Sequence, residues 1–370
     1  MIYRITYLSD GLRVMAYIAL PAGLEMTAGE MKNWLRRYFD DAQLTAEAVA
    51  CIRTGAKDIA EAAMQAWHAK NNETAGNAAD WKNTSASEAG ERALDACGSQ
   101  AKEYGSRRLP IEAAGTGSEQ ARISEDSRAE VGGNGQEARE SARAWEIQAP
   151  DSYPVLVYCR GGIGRVGRVR LDWLAEFASF GHIVLAPCYR GGESGVGHDE
   201  FGGADLEDSR VAVRLARAIP GADPSRIAVL GFSRGSINAT DAAIAEDASR
   251  LILWGGLSDL AVTYEERIDL RRMLKRVIRG SAYKLPDVYR ERSPIDMAKR
   301  LDCPVLIMHG TEDTQVDYGH GERMYAELRR LGKSVTLARL EGLGHHMAQE
   351  TRMRVLAEMF AWLEAKPQEP

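Results

Sequence analysis

From Tyr153 onward the chain repeats one pattern, a short apolar run followed by a longer stretch with helical spacing. The runs are residues 154–158 (PVLVY), 182–186 (HIVLA), 226–230 (RIAVL), 251–254 (LILW), 304–308 (PVLIM) and 335–339 (VTLAR). Between them, 171–180, 205–219, 321–331 and 351–363 carry apolar residues at helical intervals. Strands apolar along their whole length are buried on both faces, and helices between them supply the cover. The pattern predicts a doubly wound, mostly parallel α/β sheet.

The first twenty residues read differently. Two β-rich runs, 2–8 (IYRITYL) and 13–20 (RVMAYIAL), flank Ser9-Asp10-Gly11, a hairpin signal. They predict an antiparallel pair extending one edge of the later sheet. Between them and the α/β repeat lies an insertion, 22–145. Its first part, about 26–70, has Met31, Trp34, Leu35, Tyr38, Leu44 and Ala48, then Ile59, Ala63 and Trp67, at roughly helical spacing. Residues 71–144 hold few large aliphatics among Ser, Gly, Glu, Ala and Asn, too little apolar area to offset the entropy of ordering. The expected organisation is one α/β domain from 1–21 and 146–370, with an insertion that is partly helical and then low-complexity and disordered. The insertion should leave the sheet at the edge opposite the site derived below, as a tether or as the binding element for a protein partner.

Composition narrows the function classes. The net charge of −6 gives no basic surface for nucleic acid or an anionic membrane. No apolar run approaches a membrane span, and the N-terminus has no leader pattern, so a cytoplasmic protein is expected. The five cysteines are odd in number and form no CxxC, which predicts free thiols or small core residues. The Gly-rich stretch 189–203 fits neither the dinucleotide nor the P-loop pattern, and no metal or cofactor is expected.

The strongest chemical signal is Gly231-Phe232-Ser233-Arg234-Gly235, a G-x-S-x-G between the run 227–230 and the helix-like 236–244. A serine on a sharp strand-to-helix turn needs small neighbours, and the helix N-terminus lends N–H groups and positive dipole to a developing oxyanion. Ser233 is therefore the candidate nucleophile. It needs a base, and the base an orienting acid, in the chain order Ser, Asp, His. Beyond the run 304–308, at the carboxyl edge of the sheet where sites form, stands Asp313, with Asp317, Glu312 and Asp259 as rivals. Beyond the last run, Gly344-His345-His346 offers His345 ahead of His346, while His309 reads as a packed turn residue. For the oxyanion hole, backbone N–H groups of Gly161, in the loop after 154–158, and of Arg234 are the candidates. Arg160 reads as a structural fork, the alternative reading being a binding site for a substrate carboxylate.

In this order the motifs resemble the catalytic domain of the prolyl oligopeptidase family of serine peptidases, on the α/β-hydrolase fold. The resemblance rests on Ser9-Asp10-Gly11, 158–162 (YCRGG), 189–191 (YRG), 199–203 (DEFGG), 231–235 (GFSRG), 293–295 (SPI), His309-Gly310 with Asp313 and Val316, and Gly344-His345. It covers 1–21 and about 146–365, and it implies Ser233, Asp313 and His345 as a triad acting on short peptides or esters. No stretch here has the strand repeat of the β-propeller usual in the family. Arg160 stands where larger members use a tyrosine, and dipeptidyl-peptidase specificity is not implied. Residues 261–300 are the expected lid. The expected function is a serine hydrolase cleaving peptide or ester bonds through an acyl-enzyme. Its alternatives are a carboxylesterase of small esters and a non-catalytic protein whose insertion binds a partner.

Overall fold

The computed structural model describes residues 1–39, 49–52, 152–164 and 166–365. The expected low-complexity part of the insertion and Cys97 lie outside them. Nine strands among the described residues form one sheet: β1 (Ile2–Ser9), β2 (Leu12–Ala19), β3 (Val49–Ile52), β4 (Tyr153–Cys159), β5 (Ile183–Pro187), β6 (Ala222–Phe232), β7 (Arg250–Trp254), β8 (Val305–Gly310) and β9 (Val335–Leu340). Their order is β3-β1-β2-β5-β4-β6-β7-β8-β9. From β5 to β9 neighbouring strands are parallel, whereas β1 and β2 pair antiparallel and β2 joins β5 antiparallel, Ala16 opposite Pro187. The hairpin extends the sheet as its sequence predicts, with the turn formed by Asp10 and Gly11, both at positive φ.

Alternation along the strands separates two cores. Val155, Val157 and Cys159 of β4 face one side, with Trp34 of α1 (Ala28–Phe39), Leu215 of α3 (Leu206–Arg217), Ala239 of α4 (Gly235–Ala245) and Met324 of α9 (Gly319–Arg330). Leu156 and Tyr158 face the other, with Trp173 and Phe177 of α2 (Leu171–Ala178) and Met359 and Phe360 of α10 (Gln349–Glu364). Cys159 and Cys188 are buried in these layers. The connection from β4 turns outward to β5, and the next crosses back over β4 to β6. The carboxyl ends of β4 and β6 thus flank the switch point, where an open α/β sheet has its crevice. A third apolar cluster lies under a cap of short helices, α5 (Leu260–Glu266), α6 (Arg271–Ile278), α7 (Pro286–Glu291) and α8 (Pro294–Met297). The segment read as a lid is this cap, and Tyr264 and Leu274 are buried in its core rather than presented to a cleft.

The insertion differs from its reading in one place. Helix α1 forms as expected, but Val49–Ile52, within the stretch read as helical, is a strand pairing antiparallel with β1. Both ends of the excursion sit at the amino ends of the parallel strands. A Cβ on Gly23 would lie 3.0 Å from the Tyr153 hydroxyl, Leu24 packs on Gly221, and Tyr153 N–H donates to the Gly221 carbonyl at 2.7 Å. That edge is opposite the one carrying Ser233.

Candidate active site

Ser233 has φ +56°, a left-handed conformation unusual for a residue with a side chain. Its N–H donates to the Trp254 carbonyl at 3.0 Å, holding the turn between β6 and α4 against β7. The glycines around it are required by contact. A Cβ on Gly235 would stand 2.0 Å from the Cys159 carbonyl, and one on Gly231 would stand 2.7 Å from the Gly235 carbonyl. One on Gly161 would meet the Ser233 Cβ at 2.9 Å, so the loop after β4 runs directly beside the elbow.

Asp313 and His345 come together at the ends of β8 and β9. Asp313 Oδ1 accepts the N–H groups of Gln315 and Val316 at 2.8 and 2.9 Å, an Asx turn that leaves Oδ2 facing outward. Oδ2 accepts from His345 Nδ1 at 2.7 Å. The loop bearing His345 lies close over the end of β8, where a Cβ on Gly310 would come within 2.2 Å of the Leu343 carbonyl. Both side chains are buried. Burial alone would raise the Asp313 carboxyl. Hydrogen bonds from His309 and His345, the imidazole charge and the Val316 N–H outweigh it and hold the group well below the usual aspartate range. The same two residues adjoin the elbow: the Phe232 ring packs on the His345 ring at 4.8 Å, and Gly255, next to the carbonyl that anchors Ser233, lies against both.

The rivals have other partners. Asp259 caps α5 by accepting from Ala261 and Val262 N–H, Asp317 accepts from Gly319 N–H, and Glu312 is exposed. His309 also adjoins Asp313, its Nε2 3.5 Å from Oδ2, but it is fully buried with that nitrogen 2.9 Å from the Val316 carbonyl, a packed turn residue as read. His346 is exposed beside Trp173 and Phe232.

Sequence reasoning missed a buried ionic cluster behind the elbow. The Arg234 guanidinium donates to Asp199 Oδ1 at 2.6 Å, to Asp205 Oδ2 at 2.8 Å and to the Gly162 carbonyl at 3.2 Å. Arg160 stacks on Tyr189 and donates to the carbonyls of Gly161, Gly162 and Cys188. Its side chain is a structural fork. Asp205, just before α3, is fully buried and also accepts the N–H groups of Glu200, Gly202 and Gly203. Asp199 stands in one of the quoted motifs, yet a pair 35 residues apart leaves no local trace. Among the described residues no group of three or more His, Cys, Asp or Glu could hold a metal ion, and no helix is long and apolar enough to cross a membrane.

Comparison with known proteins bears on the family and the fold. The profile of the prolyl oligopeptidase family matches residues 169–369, more than half of the chain. The uncharacterized peptidase YtmA of Bacillus subtilis (strain 168) is 39% identical over 220 residues, 59% of this chain and 86% of that protein. YuxL of the same organism, also named an uncharacterized peptidase, is 24% identical over 60% of this chain but 36% of its own length. Among solved structures, the Pyrococcus horikoshii acylaminoacyl peptidase superposes with TM-score 0.52 at 25% identity, over 61% of this chain and 39% of that one. A Mycobacterium tuberculosis puromycin-hydrolyzing peptidase gives 0.51 at 28% identity, over 58% and 35%. This chain therefore spans well under half of these last three. The chain belongs to the prolyl oligopeptidase family, serine peptidases built on the α/β-hydrolase fold.

Proposed function

We propose that the chain hydrolyses short peptides or peptide-like amides through an acyl-enzyme on Ser233, and that short acyl esters enter the same route. The observation that carries this reading is the 2.7 Å contact of His345 Nδ1 with Asp313 Oδ2 beside a strained serine elbow. Since the carboxylate can only accept, Nδ1 carries the proton and Nε2 is free as the base. Ser233 Oγ attacks the carbonyl carbon while its proton passes to His345 Nε2. The C–N bond then breaks and the amine leaves with that proton. Water, activated by the same nitrogen, releases the acid and restores Ser233. Asp313 stays ionised throughout and stabilises the imidazolium. Among the described residues the N–H groups of Gly161 and Arg234, on either side of Ser233, have no acceptor, which suits them to the oxyanion. Names of the relatives favour amides over esters as the principal substrates.

The test is labelling with a fluorophosphonate probe, wild type beside Ser233→Ala, together with turnover of aminoacyl anilides and short acyl esters. Labelling should vanish in the variant while its melting temperature is kept. Asp313→Asn should lower kcat by about 10⁴. Labelling that persists in Ser233→Ala overturns the assignment.

A further inference from the structure

Helix α6 has two unlike sides. Leu274 and Ile278 are buried in the cap core, whereas Arg272, Lys275, Arg276 and, just past the helix, Arg279 are exposed. Most neighbouring arginines have partners: Arg271 binds Glu265 and the Tyr264 carbonyl, Arg267 binds Asp269, and Arg292 binds the Glu200 carbonyl. Arg276 and Arg279 make no hydrogen bond or ion pair among the described residues, on a chain whose net charge is −6. Their charge is not spent on fold stability, to which exposed pairs add little in any case.

Both arginines line a cavity of about 420 Å³, within the range of small-ligand sites. It is also lined by Ile163 and Gly164, two and three residues beyond Gly161. Ile163 and Val277 belong to one apolar cluster, so the cap is packed against the loop that runs beside Ser233. Two carboxylates also stand at the cavity, and both are engaged. Asp199 is held by Arg234 and Arg160, and Glu200 Oε2 accepts from Ala204 N–H at 3.1 Å. With Asp199 neutralised by its arginines, two free guanidiniums face one residual carboxylate and the wall is left cationic. A planar guanidinium matches a carboxylate in shape as well as charge.

We propose that this cavity is a subsite for a carboxylate of the peptide substrate, with Arg276 and Arg279 as its specificity-determining cations. The inference rests on Ser233 acting as described above. Two partly exposed charge pairs together correspond to roughly tenfold in affinity, weakening with salt. The carboxylate could belong to the acyl side or be the C-terminus of the peptide.

The test reads how well three tripeptides slow fluorophosphonate labelling: succinyl-trialanine amide, acetyl-trialanine free acid and acetyl-trialanine amide. One carboxylate-bearing peptide, or both, should protect at about tenfold lower concentration than the neutral one, and which of them does so identifies the source. The preference should vanish in Arg276→Glu/Arg279→Glu, whose melting temperature should match wild type and whose protection is read against its own labelling without peptide. It should largely survive in Arg272→Glu/Lys275→Glu, the same charge change outside the cavity. Equal protection by all three peptides overturns the subsite. So does a preference that survives the first double variant, or one lost equally in both. Wild-type protein that does not label at all removes the reading of Ser233, and this inference with it.

Discussion

A methyl group on Gly161 would stand 2.9 Å from the Cβ of Ser233 and 3.0 Å from the Phe232 carbonyl, both on a turn already held at strained φ. Neither neighbour is a flexible side-chain end, so the loop or the elbow must move. Gly161→Ala should therefore lower kcat/KM by about 10² or more, the usual effect of a displacement near 1 Å at the reacting centre. Its melting temperature should change little, because the loop lies at the surface end of β4. Parallel measurement of labelling rate and melting separates the two, and an unchanged labelling rate would show that the approach of Gly161 to Ser233 is not tight in solution. At this scale the sequence was informative wherever one motif constrained one residue. Ser233 was legible because strand, glycines and helix all surround it. His345 was legible from its place after the last strand, and its preference over His346 agrees with which ring reaches Asp313. Asp205 was not, since its chief charged partner, Arg234, lies 29 residues away across a buried contact.

Helices α2 and α10 are joined across their shared face by one buried bidentate pair, Arg352 Nε and Nη2 to the two oxygens of Glu176, each at 2.7 Å. The guanidinium also stacks on Trp173 and donates to the Met347 carbonyl, next to the loop that carries His345. Arg352→Met leaves a carboxylate buried without its counter-charge and should cost about 3–5 kcal/mol in urea unfolding. The double variant Glu176→Gln/Arg352→Met should recover much of that loss. A single variant as stable as wild type would mean that Glu176 reaches solvent or another cation. Neither partner could have been named from the sequence, although both helices could, because periodicity reports which face is buried and not what a charge on it meets. Strand β3 shows the same limit from the other side. Four residues, Val49–Ile52, hold their place by pairing with Ile5–Ile2 of β1, and that pairing overrides a helical spacing extended across them. The parallel strands were legible one by one, since each is apolar along its length and followed by a helix. The hairpin was legible because its turn residues accept positive φ.

Acid stability of the whole molecule depends on His182, which opens β5 and packs edge-on against Phe360 of α10 at 4.7 Å. Burial pushes its pKa down to about 4. The Phe180 carbonyl at 3.2 Å and Glu364 at 3.7 Å act the other way, and Arg226 adds to the depression. In the unfolded chain the imidazole returns to its ordinary value of 6.5. Between pH 6.5 and about 4 the unfolded state binds a proton that the folded state refuses. Stability is therefore complete above 6.5 and declines as pH falls through this window, by about 1.4 kcal/mol per unit where the difference is a full proton. The depressed aspartates act lower down. The stabilisation from Asp205 and Asp313 is present above their ordinary value of 3.8 and is lost only as pH falls through their folded values. The histidine and aspartate windows thus hardly overlap, and one substitution can isolate the first. His182→Leu keeps an apolar contact with Phe360 and removes the titrating group. Urea midpoints measured between about pH 7 and about pH 4.5 should fall more steeply for wild type than for the variant. Parallel curves would mean that His182 is protonated in the folded state and that α10 gives way around it before the rest of the sheet.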